Sequence, residues 1–292
     1  MKVFVTGGTG LIGSAVVAEL LGHGHAVLVL ARSEASAAAA EKAGAEVLRG
    51  SLADLDVLRA GTAQSDGVIH LAFSNDFSSL DAVARSVAEE TAAIAALGEE
   101  LVGSDRPFVT VSGTPYVAGR VSTEADAPST EGLVGGRGRA VLAALDLASR
   151  GVRTSAVRLP RTVHNEGKGG FAGMLTSIAR QTGVAGYPGN GEQRWPAVHA
   201  LDAAVLFRLA LESAPAGSSW HAVADEGDAV RDIVTVIGEQ LGLPVQSLPP
   251  ESFGALGAVF AMDQPSSSTH TQDALGWKPI QPSLLEDLRR IS

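Results

Sequence analysis

The 292-residue chain is 45% hydrophobic and 18% charged, carries a formal net charge of −10 and contains no cysteine; it is long enough for one large domain or two small ones and apolar enough for a sizeable core. The acidic balance argues against nucleic acid as a partner, which needs a basic footprint, and the missing cysteines remove disulfides, thiolate chemistry and Cys-type zinc sites together. No apolar run reaches the roughly eighteen residues of a membrane span, the start of the chain shows no signal-peptide pattern, and the histidines lack metal-binding helix spacing, so a cytoplasmic protein without a metal site is expected.

Residues 2–21 organise the rest. Val3, Phe4 and Val5 read as a buried strand, and Val16, Val17, Leu20 and Leu21 keep helical spacing after it. Gly7, Gly10 and Gly13 lie between. Gly7 is expected to let the chain turn off the strand, Gly10 to let a pyrophosphate approach the backbone, and Gly13 to let the helix pack close to the sheet. The free N–H groups and positive dipole end of that helix then face the phosphates. A second strand over 27–30 completes the context in which a glycine turn binds a dinucleotide. In such a fold an acid about 20 residues beyond the glycines holds the 2′-hydroxyl of NAD, whereas an arginine suits the 2′-phosphate of NADP. Arg32 stands there, followed by Ser33, so NADP is preferred over NAD. The other reading of Arg32 is a side chain solvated at a strand end.

Further along, helices are expected over 34–43, 55–60, 80–101 and 137–149, and strands over 45–49, 67–73, 108–112 and 154–161. Asp54 reads as the N-cap of the helix after it, and His70 as a packed strand residue. Strands alternating with helices predict an α/β fold. A doubly wound parallel sheet covers 1–155, with the strand 154–161 returning to it, and a smaller α/β substrate lobe covers 162–292. Within the lobe, helices are expected over 171–181, 203–211, 230–241, 252–262 and 284–291, a strand over 219–224 and a loop over 266–269.

Thr6-Gly-Gly-Thr-Gly-Leu-Ile-Gly13 resembles the cofactor signature of the extended and atypical short-chain dehydrogenase/reductases, a group that includes NAD-dependent sugar epimerases and dehydratases. The likeness runs over nearly the whole chain. It implies cofactor contacts at Gly7, Thr9, Gly10, Leu11, Ile12 and Gly13. Gly50-Ser-Leu-Ala-Asp54 is similar to the family's Gly-Asp-Leu-x-Asp segment with Ser51 in place of the first Asp, which leaves Leu52 as an adenine contact. The strand end at His70-Leu-Ala72 is similar to the family's His-x-Ala and implies that Leu71 and Ala72 run under the cofactor, while Arg158-Leu-Pro160 implies Pro160 against the nicotinamide. The helix 80–101 often forms a dimer interface in the family, so a homodimer is one expectation for its apolar stripe and core packing the other.

For the chemistry, Ser112-Gly-Thr-Pro-Tyr116 resembles the family's Ser-x-x-x-Tyr step and implies that Ser112 polarises the substrate oxygen, with Thr114 as runner-up. The stretch 186–202 resembles the Arg-x-x-x-Val-His-x-x-Asp region of extended members: Arg194 is expected to reach a substrate anion and Trp195 to wall the pocket, with His199 and Asp202 structural. One feature departs from the family. Its Tyr-x-x-x-Lys falls on Gly135 and Arg139, so the usual proton donor is missing. Arg139 is expected to hold the nicotinamide ribose, since a guanidinium does not deliver protons; Tyr116 and Tyr187 are the two remaining tyrosines that stand as donors, beside a water held by Ser112. The resemblance implies NADPH-dependent hydride transfer to or from a small carbonyl, alcohol or imine substrate. A sugar-nucleotide epimerase or dehydratase, and a non-catalytic NADP-binding sensor, are the alternatives.

Overall fold

The computed structural model describes residues 1–74, 79–132 and 135–290. In chain order its elements are β1 (Lys2–Thr6), α1 (Leu11–Gly22), β2 (Ala26–Ala31), α2 (Glu34–Lys42), β3 (Glu46–Arg49), α3 (Leu55–Ala63), β4 (Gly67–His70), α4 (Leu80–Glu99), β5 (Pro107–Gly113), α5 (Gly135–Asp146), β6 (Arg153–Leu159), β7 (Thr162–His164), α6 (Gly170–Thr182), β8 (Ala185–Pro188), β9 (Arg194–His199), α7 (Ala200–Ser213), β10 (Ser218–His221), β11 (Asp225–Ala229), α8 (Val230–Leu241), β12 (Val245–Leu248), α9 (Gly257–Phe260), α10 (Thr269–Leu275) and α11 (Leu284–Leu288).

These form two compact units. The first comprises 1–112, 127–158 and 204–220, the second 113–126, 159–203 and 221–292. A single boundary near residue 155 is therefore replaced by an exchange of segments. The stretch 204–220 returns to the first unit because β10 adds beside β6, and 113–126 leaves it because Thr114 donates its N–H to the Leu159 carbonyl and Ser122 bridges to Ser266.

In the first unit the sheet order is β10-β6-β5-β4-β1-β2-β3. Pairing is parallel between β1 and both β2 and β4, between β2 and β3, and between β4 and β5. Buried on both faces, the strands read as continuous apolar runs, and Phe4, Leu28, Leu58, Val68, Ile94, Leu97, Leu101 and Phe108 fill one core. Of the stripe expected over 80–101, Val83, Ile94 and Leu97 on α4 and Leu101 just after it are buried within the chain. The strand order reverses at β1, so the crossovers on either side leave in opposite directions and open a crevice beyond the carboxyl ends of β1 and β4.

The second unit holds a three-stranded sheet, β11-β9-β7, and a two-stranded one, β12-β8. Leu175, Trp195, Ile233, Ile237, Phe253, Phe260 and Leu284 form its core. Most of its short strands escape a periodicity reading because the alternation lasts only three to six residues. The helix expected over 252–262 is broken at Gly254, whose φ of 60° and ψ of −139° end a 3-10 segment before α9 begins. The final helix ends at Leu288 and Ile291 lies outside the described residues, while the loop expected at 266–269 leads into α10. Among the described residues no helix is long and apolar enough to cross a membrane.

Candidate functional site

The crevice at the end of β1 is a cavity of about 610 Å³ lined by Gly7, Thr9, Gly10, Leu30, Arg32, Ser36, Gly50, Ser51, Leu52, Leu71, Ala72, Phe73, Ser74 and Glu89. Seven residues expected to touch a cofactor are in this lining: Gly7, Thr9, Gly10, Arg32, Leu52, Leu71 and Ala72. The glycines do different things. Gly7 has φ +74°, and a Cβ there would lie 2.8 Å from the Ala72 nitrogen; at Gly13 it would lie 2.0 Å from the Gly7 carbonyl oxygen. Both are required by backbone contact, so Gly13 is structural and, like Leu11 and Ile12, stands outside the lining. At Gly10 a Cβ would meet only the Gly7 oxygen, at 3.6 Å, so the space above it is open. There α1 begins, with no side-chain cap and no acid in its first turn. Free helix N–H groups beside an open glycine fit the pyrophosphate of a dinucleotide.

The ribose end is built by the start of α2. Ser33 and Ser36 form a reciprocal capping box, which directs Ser33 to its own helix end rather than to the cavity. Ser36 does line the cavity, beside Arg32. Arg32 is exposed and makes no hydrogen bond or ion pair among the described residues, whereas the nearby Arg49 is held by Glu34 and by the Ser33 carbonyl at 3.0 Å. The nearby acid Glu34 is thus already neutralised and Arg32 is left available. Asp54 stands at the N-cap position of α3 but does not cap it: its carboxylate accepts the Ser51 N–H and hydroxyl, each at 2.8 Å, and these bonds lower its pKa.

At the end of β4, His70 is fully buried with Nδ1 2.8 Å from the Thr6 hydroxyl. Burial, and then the charge of Arg137, pull its pKa down to about 3, so it is neutral and packed. Arg137 itself is the cation of this region. Its guanidinium lies 3.9 Å over the Phe73 ring and grips the buried Glu90 through two bonds of 2.7 and 2.8 Å. Arg139, expected to hold the nicotinamide ribose, is exposed and donates to the Thr130 carbonyl. In Gly-Gly-Arg-Gly-Arg the two arginines point to opposite helix sides, and only Glu90, far away in sequence, decides which side is inward.

The position that the resemblance gives to the family's tyrosine is filled by backbone. A Cβ at Gly135 would lie 2.5 Å from the Thr130 carbonyl carbon and oxygen, and one at Gly138 only 2.0 Å from the Ser129 oxygen. The backbone of 129–130 lies directly on the first turn of α5, where the family's phenol would start.

Ser112 is the last residue but one of β5, half-buried, in the first unit. Thr114, Tyr116, Pro160, Tyr187, Arg194 and Trp195 belong to the second. Three of these differ from their expected roles. Thr114 is buried, with its carbonyl and hydroxyl accepting from Gln264 at 2.7 and 3.3 Å, so it serves the fold. Arg194 is neutralised by Asp263 through bonds of 3.1 and 2.8 Å. Trp195 packs in the second core: it is fully buried, 5.5 Å from both the Phe171 and Phe260 rings. Tyr187 packs half-buried against the second core, Tyr116 is 48% exposed, and Pro160 is buried just after β6.

His199 and Asp202 have structural partners. Asp202 accepts the Ile280 and Gln281 N–H groups, and its carbonyl accepts the Trp277 indole N–H. His199 lies edge-on to His164, whose Nδ1 is 2.8 Å from Asp287. Atoms of these three residues lie within 4.8 Å of one another, close enough to suggest a cation site. Their hydrogen bonds oppose it. The Leu201 N–H donates to His199 Nδ1, which puts the imidazole hydrogen on Nε2, and Asp287 is engaged by both His164 and the Gly167 N–H. Burial would raise Asp287, but the bonds from Gly167 and His164 hold it below the usual carboxylate range. The cluster braces α11 against the loop after β7.

Comparison with known proteins places these features. The model of the NAD dependent epimerase/dehydratase family matches residues 3–135. The uncharacterized protein C2A9.02 of Schizosaccharomyces pombe is 44% identical over 99% of this chain and 98% of its own length, and the uncharacterized protein YLL056C of Saccharomyces cerevisiae 42% over 99% and 98%. Among solved structures, a UDP-glucose 4-epimerase of Thermotoga maritima with UDP-glucose is similar with a TM-score of 0.81 at 22% identity, over 99% of this chain and 97% of that one. With a glycine cradle that fits a dinucleotide at the switch point of a parallel sheet, the chain belongs to the NAD dependent epimerase/dehydratase family.

Proposed function

We propose that the protein is an NADPH-dependent oxidoreductase that exchanges a hydride with a small carbonyl, alcohol or imine compound. The observation that carries the coenzyme choice is Arg32, unpaired in the lining of the glycine cavity next to Ser36. A charge-assisted bond there to a 2′-phosphate is worth about 1.5–3 kcal/mol, roughly tenfold or more in affinity. When bound, the nicotinamide supplies or receives the hydride. In this reading Gly7, Gly10 and the N–H groups of α1 hold the pyrophosphate, Arg32 and Ser36 the 2′-phosphate, and Leu71 to Phe73 the floor under the coenzyme. Ser112 then orients the substrate oxygen and the water that gives or takes its proton.

The closed position at Gly135 weighs against a redox-neutral epimerase, whose first step needs a base at the substrate hydroxyl. It also favours a second reading, an NADP-binding sensor without turnover, since a general acid contributes roughly 10²–10⁴ in rate. NADPH oxidation against ketones, aldehydes, imines and nucleotide sugars decides between them. Turnover of any of the first three supports the reductase; tight NADPH binding with no turnover supports the sensor; redox-neutral conversion of a nucleotide sugar refutes both.

A further inference from the structure

Arg161, just before β7, lacks the carboxylate that holds several other arginines. Arg137, Arg194 and Arg208 each face a carboxylate. Arg161 faces none. It is half-buried, its Nε is sealed from solvent without a hydrogen-bond partner, and one terminal nitrogen reaches only the Met262 sulfur at 3.7 Å. The remaining terminal nitrogen is neither bonded nor sealed. The Phe171 ring lies 5.2 Å from the guanidinium carbon. Burial lowers its pKa to about 10, so it stays a cation at neutral pH.

A thioether and a ring at that distance return far less than the hydration a guanidinium loses on burial. A charge held in such a place without a counter-ion destabilises the unliganded fold, and a planar fork with an open nitrogen matches an oxyanion. We propose that Arg161 is the receptor for an oxyanion on the small-molecule ligand, a carboxylate or a phosphate, taking the role that Arg194 cannot fill while Asp263 holds it. The inference rests on the reading of the chain as a small-molecule enzyme or sensor and narrows its ligand to an anionic one.

The test is equilibrium titration of the full chain with orthophosphate and with malonate at matched ionic strength, followed by calorimetry and thermal unfolding, on the unaltered protein, Arg161→Met and Arg161→Lys. At least one oxyanion should bind the unaltered protein at least about tenfold more tightly than Arg161→Met, with Arg161→Lys between them. Without oxyanion, Arg161→Met should melt no lower than the unaltered protein, because a methionine packs beside Met262 and Phe171 without desolvating a charge. Whichever of phosphate or malonate binds names the group. Equal binding to unaltered protein and Arg161→Met, or a lower melting temperature of the variant alone, overturns the proposal. If Arg161→Met fails to fold, Arg161→Gln is titrated in its place, and equal binding there overturns it too. Because no turnover is read, failure of the NADPH assay leaves this titration standing.

Discussion

The closed slot at Gly135 yields a quantitative expectation. In Gly135→Ala the new methyl would sit 2.5 Å from the carbonyl carbon and oxygen of Thr130, inside any distance that real Cβ atoms keep. Both obstacles are backbone, so relief requires the loop or the helix to move, and overpacking of this kind costs about 1–3 kcal/mol. Replacing glycine in a helix interior returns up to about 1 kcal/mol, but less at a first helical residue. The net loss is therefore about 1–2 kcal/mol, or some 2–8 °C in melting temperature for a chain of this size. Gly138→Ala, 2.0 Å from the Ser129 oxygen, should lose more. Gly22→Ala, with nothing within 4 Å, is the control and should be neutral or slightly stabilising. Gly135→Tyr, which rewrites the family's tyrosine, should be the least stable and should gain no turnover. Thermal and urea unfolding with an NADPH oxidation assay read all four. A melting temperature for Gly135→Ala within about 1 °C of the unaltered protein, or turnover gained by Gly135→Tyr, would refute the reasoning.

Arg32→Asp should reverse the coenzyme preference, with NADPH affinity falling roughly tenfold or more and NADH affinity rising; equal NADPH and NADH affinities in the unaltered protein would remove Arg32 from the site. Arg137→Met leaves the buried Glu90 without its partner and should destabilise by about 3 kcal/mol, whereas Arg139→Met should shift urea unfolding by less than about 1 kcal/mol; comparable losses in both would void the assignment of the inward cation. His70 makes stability depend on pH: its folded pKa of about 3 lies below the unfolded value, so its contribution is fully present above about pH 6.5 and is lost as pH falls toward 3. At most this amounts to about 4–5 kcal/mol, and His70→Asn should flatten the slope of unfolding free energy between pH 6.5 and 4; an unchanged slope would place the acid sensitivity elsewhere.

The first half of the fold was legible because its signals are long or backbone-bound. Val3 to Val5, the spaced glycines and the run from residue 25 to 31 satisfy a pattern that few other structures explain, and a helix between successive strands gives the crossover that parallel pairing needs. The second unit was less so. Strands such as Thr162–His164 and Val245–Leu248 are too short for alternation to emerge, and the exchange of 113–126 against 204–220 depends on long-range pairings such as Ser122 with Ser266.

Site residues were legible where the backbone does the work and illegible where a charge finds its partner across the fold. Gly7, Gly10, Leu71 and Ala72 enter the cavity through chain geometry alone, so local sequence was enough to find them. A cation's role, by contrast, depends on which carboxylate reaches it. Arg194 looked available and meets Asp263; Arg139 looked inward and meets a loop carbonyl; Arg137 looked unremarkable and grips Glu90 under Phe73. Each pairing spans from nine to sixty-nine positions and involves a residue type abundant on any surface. Arg32, in the cavity lining of the first unit, and Arg161, in the second, are among the arginines with no carboxylate partner among the described residues. In a chain with a net charge of −10, a cation without a carboxylate partner is a place where an anionic coenzyme or an anionic ligand would meet less repulsion.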